Sequence, residues 1–197
     1  MPEQQIYAAY DDAGIYVYQA YKPSIVRAAL EKGTFGAGFN RDRMTWIKPS
    51  FGWMLYRSGY ATKTRQQAIL KIKLTHNGFR DILQQAVLTH FAPEIYASED
   101  EWRQRLKRSR VRVQWDPERH LRGHKLERRA IQIGIRGRTV YRYVDEWIIG
   151  LEDVTDLAHT IHQHVKMKQP LDDLVLPDER LYPVDDELAA IIGTESV

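Results

Sequence analysis

Residues 43–58 read Arg43-Met44-Thr45-Trp46-Ile47-Lys48-Pro49-Ser50-Phe51-Gly52-Trp53-Met54-Leu55-Tyr56-Arg57-Ser58. Thr45 to Lys48 is β-branched and aromatic enough for a short strand. Pro49-Ser50 ends it, and Ser50 is a candidate N-cap for a helix over Phe51–Ser58. A strand that runs into a capped helix gathers backbone N–H groups at one point, an anion seat in its own right. The block also carries two Trp, a Phe, a Tyr, two Arg and a Lys. A core segment has no use for the cations, and a solvated loop has none for the aromatics. Fixed cations beside aromatic faces suit a stacked base with its phosphate, or a nucleotide cofactor. The structural alternative is that Trp46, Phe51, Met54 and Leu55 are core while the cations snorkel outward.

On the N-terminal side, Ile15-Tyr16-Val17-Tyr18-Gln19-Ala20-Tyr21 reads as a strand after a turn at Asp11–Gly14. Pro23-Ser24 starts a helix to Leu30 with Gly33 as its stop, and Thr34 to Arg43 is a glycine loop. On the C-terminal side, Gln67–Thr75 alternates as a half-exposed strand. Asn77 can cap a helix carrying Phe79, Ile82, Leu83, Ala86 and Val87. Ser98 with Glu101 forms a capping box for a helix to about Lys107. Arg110–Trp115 is a strand with one cationic face, turned by Asp116-Pro117, and Ala130–Ile135 is a second strand. Val140–Trp147 is helical, Ile148–Val154 is a last strand, and Thr155 caps a helix from Asp156 to Met167. Strands and helices without regular βαβ alternation predict an α+β fold. A single domain over 1–168, with a mixed split sheet flanked by helices, is followed by an acidic, loosely attached tail over 169–197.

Net charge conceals a strong asymmetry. Lys22–Arg80 holds 12 Lys/Arg against 2 Asp/Glu, Arg103–Arg142 holds 14 against 3, and Asp145–Val197 holds 3 against 13. Basic segments of this density favour polyanions, unless the tail folds back on them. Arg103, Arg105, Arg108, Arg110, Arg112, Arg119 and Arg122 are the candidate nucleic-acid contacts, whose affinity would fall with salt. The chain has no cysteine, which removes thiol catalysis and Cys-type metal sites and fits a reducing cytoplasm. No signal-peptide pattern opens the chain and no apolar stretch is long enough to cross a bilayer, so no membrane partner is expected. P-loop, GxGxxG, GxSxG and Lys-x-Asp-Gly motifs are missing, which weighs against kinases, P-loop ATPases, Rossmann dehydrogenases and α/β-hydrolases. His159 and His162, three apart on a helix after Asp156, are the nearest approach to a metal pair, and no metal is expected.

Four runs carry a resemblance: Val17–Tyr21, Arg43–Phe51, Tyr56-Arg57-Ser58 and Gln132-Ile133-Gly134-Ile135-Arg136-Gly137. Together they resemble an uncharacterised family, domain of unknown function 4291, over nearly the whole chain to about residue 170. That family name implies no activity. The element order is also similar to that of the ADP-ribosyltransferase class: a strand with a ligand residue, a helix, a glycine loop, a short strand into a helix, and a late strand with a catalytic Glu or Gln. This chain departs from the class in carrying Tyr18 and Gln19 where a His or Arg is usual. The similarity implies NAD as cofactor and ADP-ribose transfer to a nucleic acid or nucleotide. Gln132 would orient the ribose or the acceptor, and Tyr18 or Tyr56 would stack nicotinamide. Lys48, Ser50 and Arg57 would hold the pyrophosphate, with Gln19, Arg43 and Trp46 completing the cofactor site. The alternative is a non-enzymatic RNA- or DNA-binding module with a basic, aromatic surface.

Overall fold

The computed structural model describes residues 4–196. The chain opens with β1 (Tyr7–Ala8), β2 (Tyr10–Asp11), β3 (Gly14–Tyr21), α1 (Pro23–Lys32), β4 (Thr45–Ile47) and α2 (Phe51–Ser58). It continues with β5 (Ala68–Thr75), α3 (His76–Gln84), β6 (Ala86–Leu88), α4 (Glu99–Arg108), β7 (Val111–Arg119) and β8 (Lys125–Ile135). It ends with α5 (Arg138–Arg142), a π-helical turn (Tyr143–Trp147), β9 (Ile148–Asp153), α6 (Thr155–Lys166), β10 (Arg180–Leu181) and α7 (Asp186–Ile192). This is one α+β domain.

Two four-stranded sheets carry it, in the orders β2-β3-β5-β9 and β4-β8-β7-β6. Every pairing in them is antiparallel except β6 with β7. One bridge joins the sheets: Tyr18 N–H donates to the Lys48 carbonyl at 2.7 Å, and Lys48 N–H returns to Tyr18 at 3.3 Å. Alternation along each strand decides what lies on either side. Ile15 and Val17 of β3, Leu70 and Ile72 of β5, Val111 and Val113 of β7, and Ile131, Ile133 and Ile135 of β8 share the main core. A smaller core forms on the other face of β3 and β5, from Tyr18 and Ile69 with Phe51, Met54 and Leu55 of α2 and Ala158 and Ile161 of α6.

α2 is held at both ends as its sequence implies. Ser50 Oγ accepts the N–H of Trp53 at 3.0 Å, and Gly59 stops the helix at φ +60°. Gly52 lets its first turn sit directly on β7: a Cβ there would come within 2.0 Å of the Arg119 carbonyl oxygen.

Several local expectations change. Thr75, not Asn77, caps α3, because its hydroxyl reaches Gly78 N–H at 3.1 Å. Asp116-Pro117 does not turn the chain. β7 continues through it to Arg119 with a register shift, and β8 begins at Lys125. Proline is tolerated there because the ladder is irregular at that point. Thr155 is the first residue of α6 rather than its cap, and its hydroxyl accepts Ile69 N–H.

The C-terminal segment is packed, not loosely attached. β10 pairs with β1, and Tyr182, Val184, Leu188 and Ile192 are buried in the main core. Two of its acids, Asp185 and Glu187, pair with Arg80, and Asp178 pairs with Arg180.

Candidate functional site

A cleft of about 590 Å³ opens where the sheets part at the Tyr18–Lys48 bridge. Its floor is the face of the second sheet turned away from the main core. Trp46 and Lys48 lie there because they alternate with core-facing Ile47, and Gln114, Gln132 and Gly134 lie there by the same alternation in β7 and β8. Trp46 pairs with Gly134, and a Cβ at Gly134 would meet the Trp46 ring at 3.0 Å. The glycine therefore lets the indole lie flat on the sheet as an aromatic wall.

Lys22, Arg43, Lys48, Arg57 and Arg65 line the cleft, and among the described residues none has a carboxylate within ion-pair distance. Lys48 is the buried one, 6% exposed, and among the described residues its Nζ donates only to the Trp46 carbonyl, at 3.2 Å. Burial, and then the nearby Arg57 charge, push its ammonium down to about 8, with Asp116 pulling the other way. Arg65 reaches the cleft from a left-handed backbone, φ +66°, unusual for a side chain with a Cβ.

Gln132 is held. Its Nε2 donates to Asp116 Oδ2 at 2.5 Å, and Gln114 Nε2 donates to Asp116 Oδ1 at 2.8 Å. Gln19, also on the cleft, is fully engaged within the protein. Its Nε2 donates to Thr45 Oγ1 at 2.5 Å and to Tyr21 at 2.9 Å, and its Oε1 accepts from Tyr143 at 2.7 Å. That network makes Gln19 a strut of the back wall. Burial raises the Tyr21 and Tyr143 hydroxyls far out of the neutral range.

Of the nine candidates for catalysis or cofactor contact, Gln19, Arg43, Trp46, Lys48, Arg57 and Gln132 line this one cleft. Three stand elsewhere. Tyr18 is fully buried in the smaller core against Phe51, ring centres 4.9 Å apart, because strand alternation turns it from Gln19. Tyr56 stacks on Trp53 at 5.4 Å with the Arg119 guanidinium 3.9 Å from its ring, outside the cleft lining.

Ser50 is buried and donates to Glu118 at 2.7 Å. The anion seat expected at the start of α2 is taken by the protein itself. Glu179 Oε1 accepts Phe51 N–H at 2.5 Å, and Glu118 lies beside it. Two carboxyls at a helix N-terminus replace the ligand anion that the same dipole would attract.

The seven arginines do not form one patch. Arg103 and Arg105 pair with Glu99 and Glu101 within α4, and Arg112 donates to Ser109 and the Leu106 carbonyl. Arg108 and Arg110 are exposed at that end of β7. Arg119 and Arg122 stand at its other end, roughly 25–30 Å away for a strand of this length. His162 stacks on Tyr60 at 4.6 Å, and the described residues hold no group of three or more metal-ligating side chains. None of the described helices is long and apolar enough to cross a membrane.

The sequence reading passed over Asp116, Gln114 and Glu179. Asp116-Pro117 has the composition of a turn, although Gln114 and Asp116 continue the alternation that places Gln132 opposite Gln114. No local signal marks Glu179, because its partner is 128 positions away.

A search of curated proteins finds no match for this chain. A family model described as domain of unknown function (DUF4291) matches residues 5–182. The match takes in the cleft, the bridge between the sheets and Glu179, and the chain belongs to that family.

Proposed function

We propose that the cleft binds a nucleotide cofactor, with NAD as the candidate, and that the protein transfers ADP-ribose from it to a nucleic acid or nucleotide. One observation carries the reading: five cations that have no carboxylate partner among the described residues face an aromatic wall in a cleft of dinucleotide size. Arg43, Lys48 and Arg57 take the pyrophosphate, and Trp46 offers a ring face. Bound NAD would supply the ADP-ribose group, its C1′ passing to an acceptor nucleophile as nicotinamide departs with the electron pair of the broken bond. Gln132, held by Asp116, would orient the ribose or the acceptor. The two sheets parting at Tyr18–Lys48, with Gln132 on a late strand, support the likeness to the ADP-ribosyltransferase class.

The test is calorimetry of the whole chain with NAD, ATP and GTP at physiological salt, followed by transfer of labelled ADP-ribose from NAD. NAD binding and label on an acceptor support the proposal, and absence of nucleotide binding defeats it. The second reading, a binding module for single-stranded nucleic acid, draws on Tyr56, 41% exposed between Trp53 and Arg119 and next to Arg57 in sequence. It expects RNA binding that vanishes with salt and no response to NAD.

A further inference from the structure

We infer that the cleft selects ribonucleotides over their deoxy counterparts, reading the sugar hydroxyls with the amide oxygens of Gln114 and Gln132, which Asp116 holds in position. The inference rests on the nucleotide reading above and adds the sugar class to it.

Gln114 and Gln132 are direct partners in the β7–β8 ladder, so their Cβ atoms stand roughly 5 Å apart on one face. Both line the cleft. Asp116 follows Gln114 by two residues and shares that face. A carboxylate only accepts hydrogen bonds, so each glutamine turns its NH₂ to Asp116, at 2.8 and 2.5 Å. This settles the orientation of both amides. Each is left with an oxygen that has no partner among the described residues. A carboxamide free to flip would present donor or acceptor equally. These two present acceptors.

Acceptors beside a carboxylate repel phosphate and suit groups that donate. The floor is thus divided. Continuing the β4–β8 register past Ile47↔Ile133 brings Lys48 alongside Gln132, so the cations border the amide pair. A ligand that joins an anion to neighbouring hydroxyl donors matches that division, and a nucleotide's phosphate and ribose diol do so. A 2′-deoxy sugar leaves one amide oxygen unmet in a cleft that has shed its water.

The experiment measures binding of ADP, 2′-deoxy-ADP and inorganic pyrophosphate to the full chain by calorimetry at fixed salt. The expected result is ADP bound roughly tenfold more tightly than 2′-deoxy-ADP, the cost of about one lost hydrogen bond. Asp116→Asn, which lets an amide turn over, should bring the ratio to within about twofold while pyrophosphate still binds. Gln132→Met, close in volume but without the acceptor, should do the same and decides the matter if Asp116→Asn no longer folds. Equal affinity of the two nucleotides for the native protein overturns the inference, as does a ratio unchanged in Gln132→Met. If pyrophosphate and ADP both fail to bind the native protein, the nucleotide reading itself falls.

Discussion

Glu179 closes the N-terminus of the central helix by accepting the Phe51 N–H at 2.5 Å. The strand-break-helix block therefore keeps its polar end for the fold, and the cleft cations, Lys48 among them, lie on the next face. The enclosed Glu179 carboxyl is pushed up to about 8 by burial, with the neighbouring Glu118 adding to the rise and the Phe51 N–H opposing it.

That shift sets a pH dependence. A carboxyl whose folded pKa lies above its usual 4.5 binds more protons folded than unfolded. Its contribution to stability is complete below about 4.5 and is lost as pH rises through about 8. Glu179→Gln keeps an oxygen for Phe51 N–H and removes the titration. The melting temperature of the native protein should fall between pH 5 and 8.5 more steeply than that of the variant. At pH 8.5 the variant should be the more stable, by on the order of 2 kcal/mol. Parallel melting curves for the two proteins would show that Glu179 is not buried as described.

Lys48 gives the opposite sign. Its folded pKa, about 8, lies below the 10.5 of an exposed lysine. Below pH 8 the fold carries the full cost of a buried ammonium, and that cost fades as pH rises toward 10.5. Lys48→Met should therefore raise the melting temperature at pH 7 by about 2–5 °C. It should also weaken pyrophosphate binding at least roughly tenfold. A variant both less stable and unchanged in binding would make Lys48 a structural residue.

Arg57 should separate binding from folding most cleanly. It is exposed and its guanidinium has no hydrogen-bond or ion-pair partner among the described residues. Arg57→Ala should shift the melting temperature by less than about 2 °C while weakening NAD and pyrophosphate binding. Removing that charge should also raise the Lys48 pKa, since Arg57 is the second cause of its depression. The pH dependence of pyrophosphate binding would then move upward. Unfolding of Arg57→Ala would place the residue in the architecture instead.

What the sequence disclosed follows the range of the forces involved. Aromatic and cationic composition marked Trp46 and Lys48, and strand alternation, decided locally, turns both toward the cleft with Gln132. The same rule turns Tyr18 away from Gln19 and into the smaller core. Ser50 was legible as a cap and so was spoken for, with Trp53 N–H on one side and Glu118 on the other. The seven arginines are close in sequence, but an extended strand carries Arg110 and Arg119 to opposite ends. Packing of the C-terminal segment depends on contacts distant in sequence, 77 positions for Trp115 with Ile192 and 171 for Tyr10 with Leu181, and acidic composition with three prolines hides it.

Truncation after Lys168 tests that last point. A loose acidic tail would come away without loss, and release of its charge would raise nucleic-acid affinity. The structure predicts otherwise. The cut removes Leu171, Tyr182, Val184, Leu188, Ala189 and Ile192 from buried positions. It also takes the carbonyl of Ile192 from Trp115 Nε1, a bond of 2.8 Å, and the carboxyl of Glu179 from Phe51. Burial of each large apolar side chain is worth roughly 1.5–3 kcal/mol, and four of them together approach the whole margin of a domain, about 5–15 kcal/mol. The truncated chain should show no cooperative melting transition and should bind a hydrophobic dye. A truncation that melts like the full chain, with stronger RNA binding, would mean that the segment is an appendage after all.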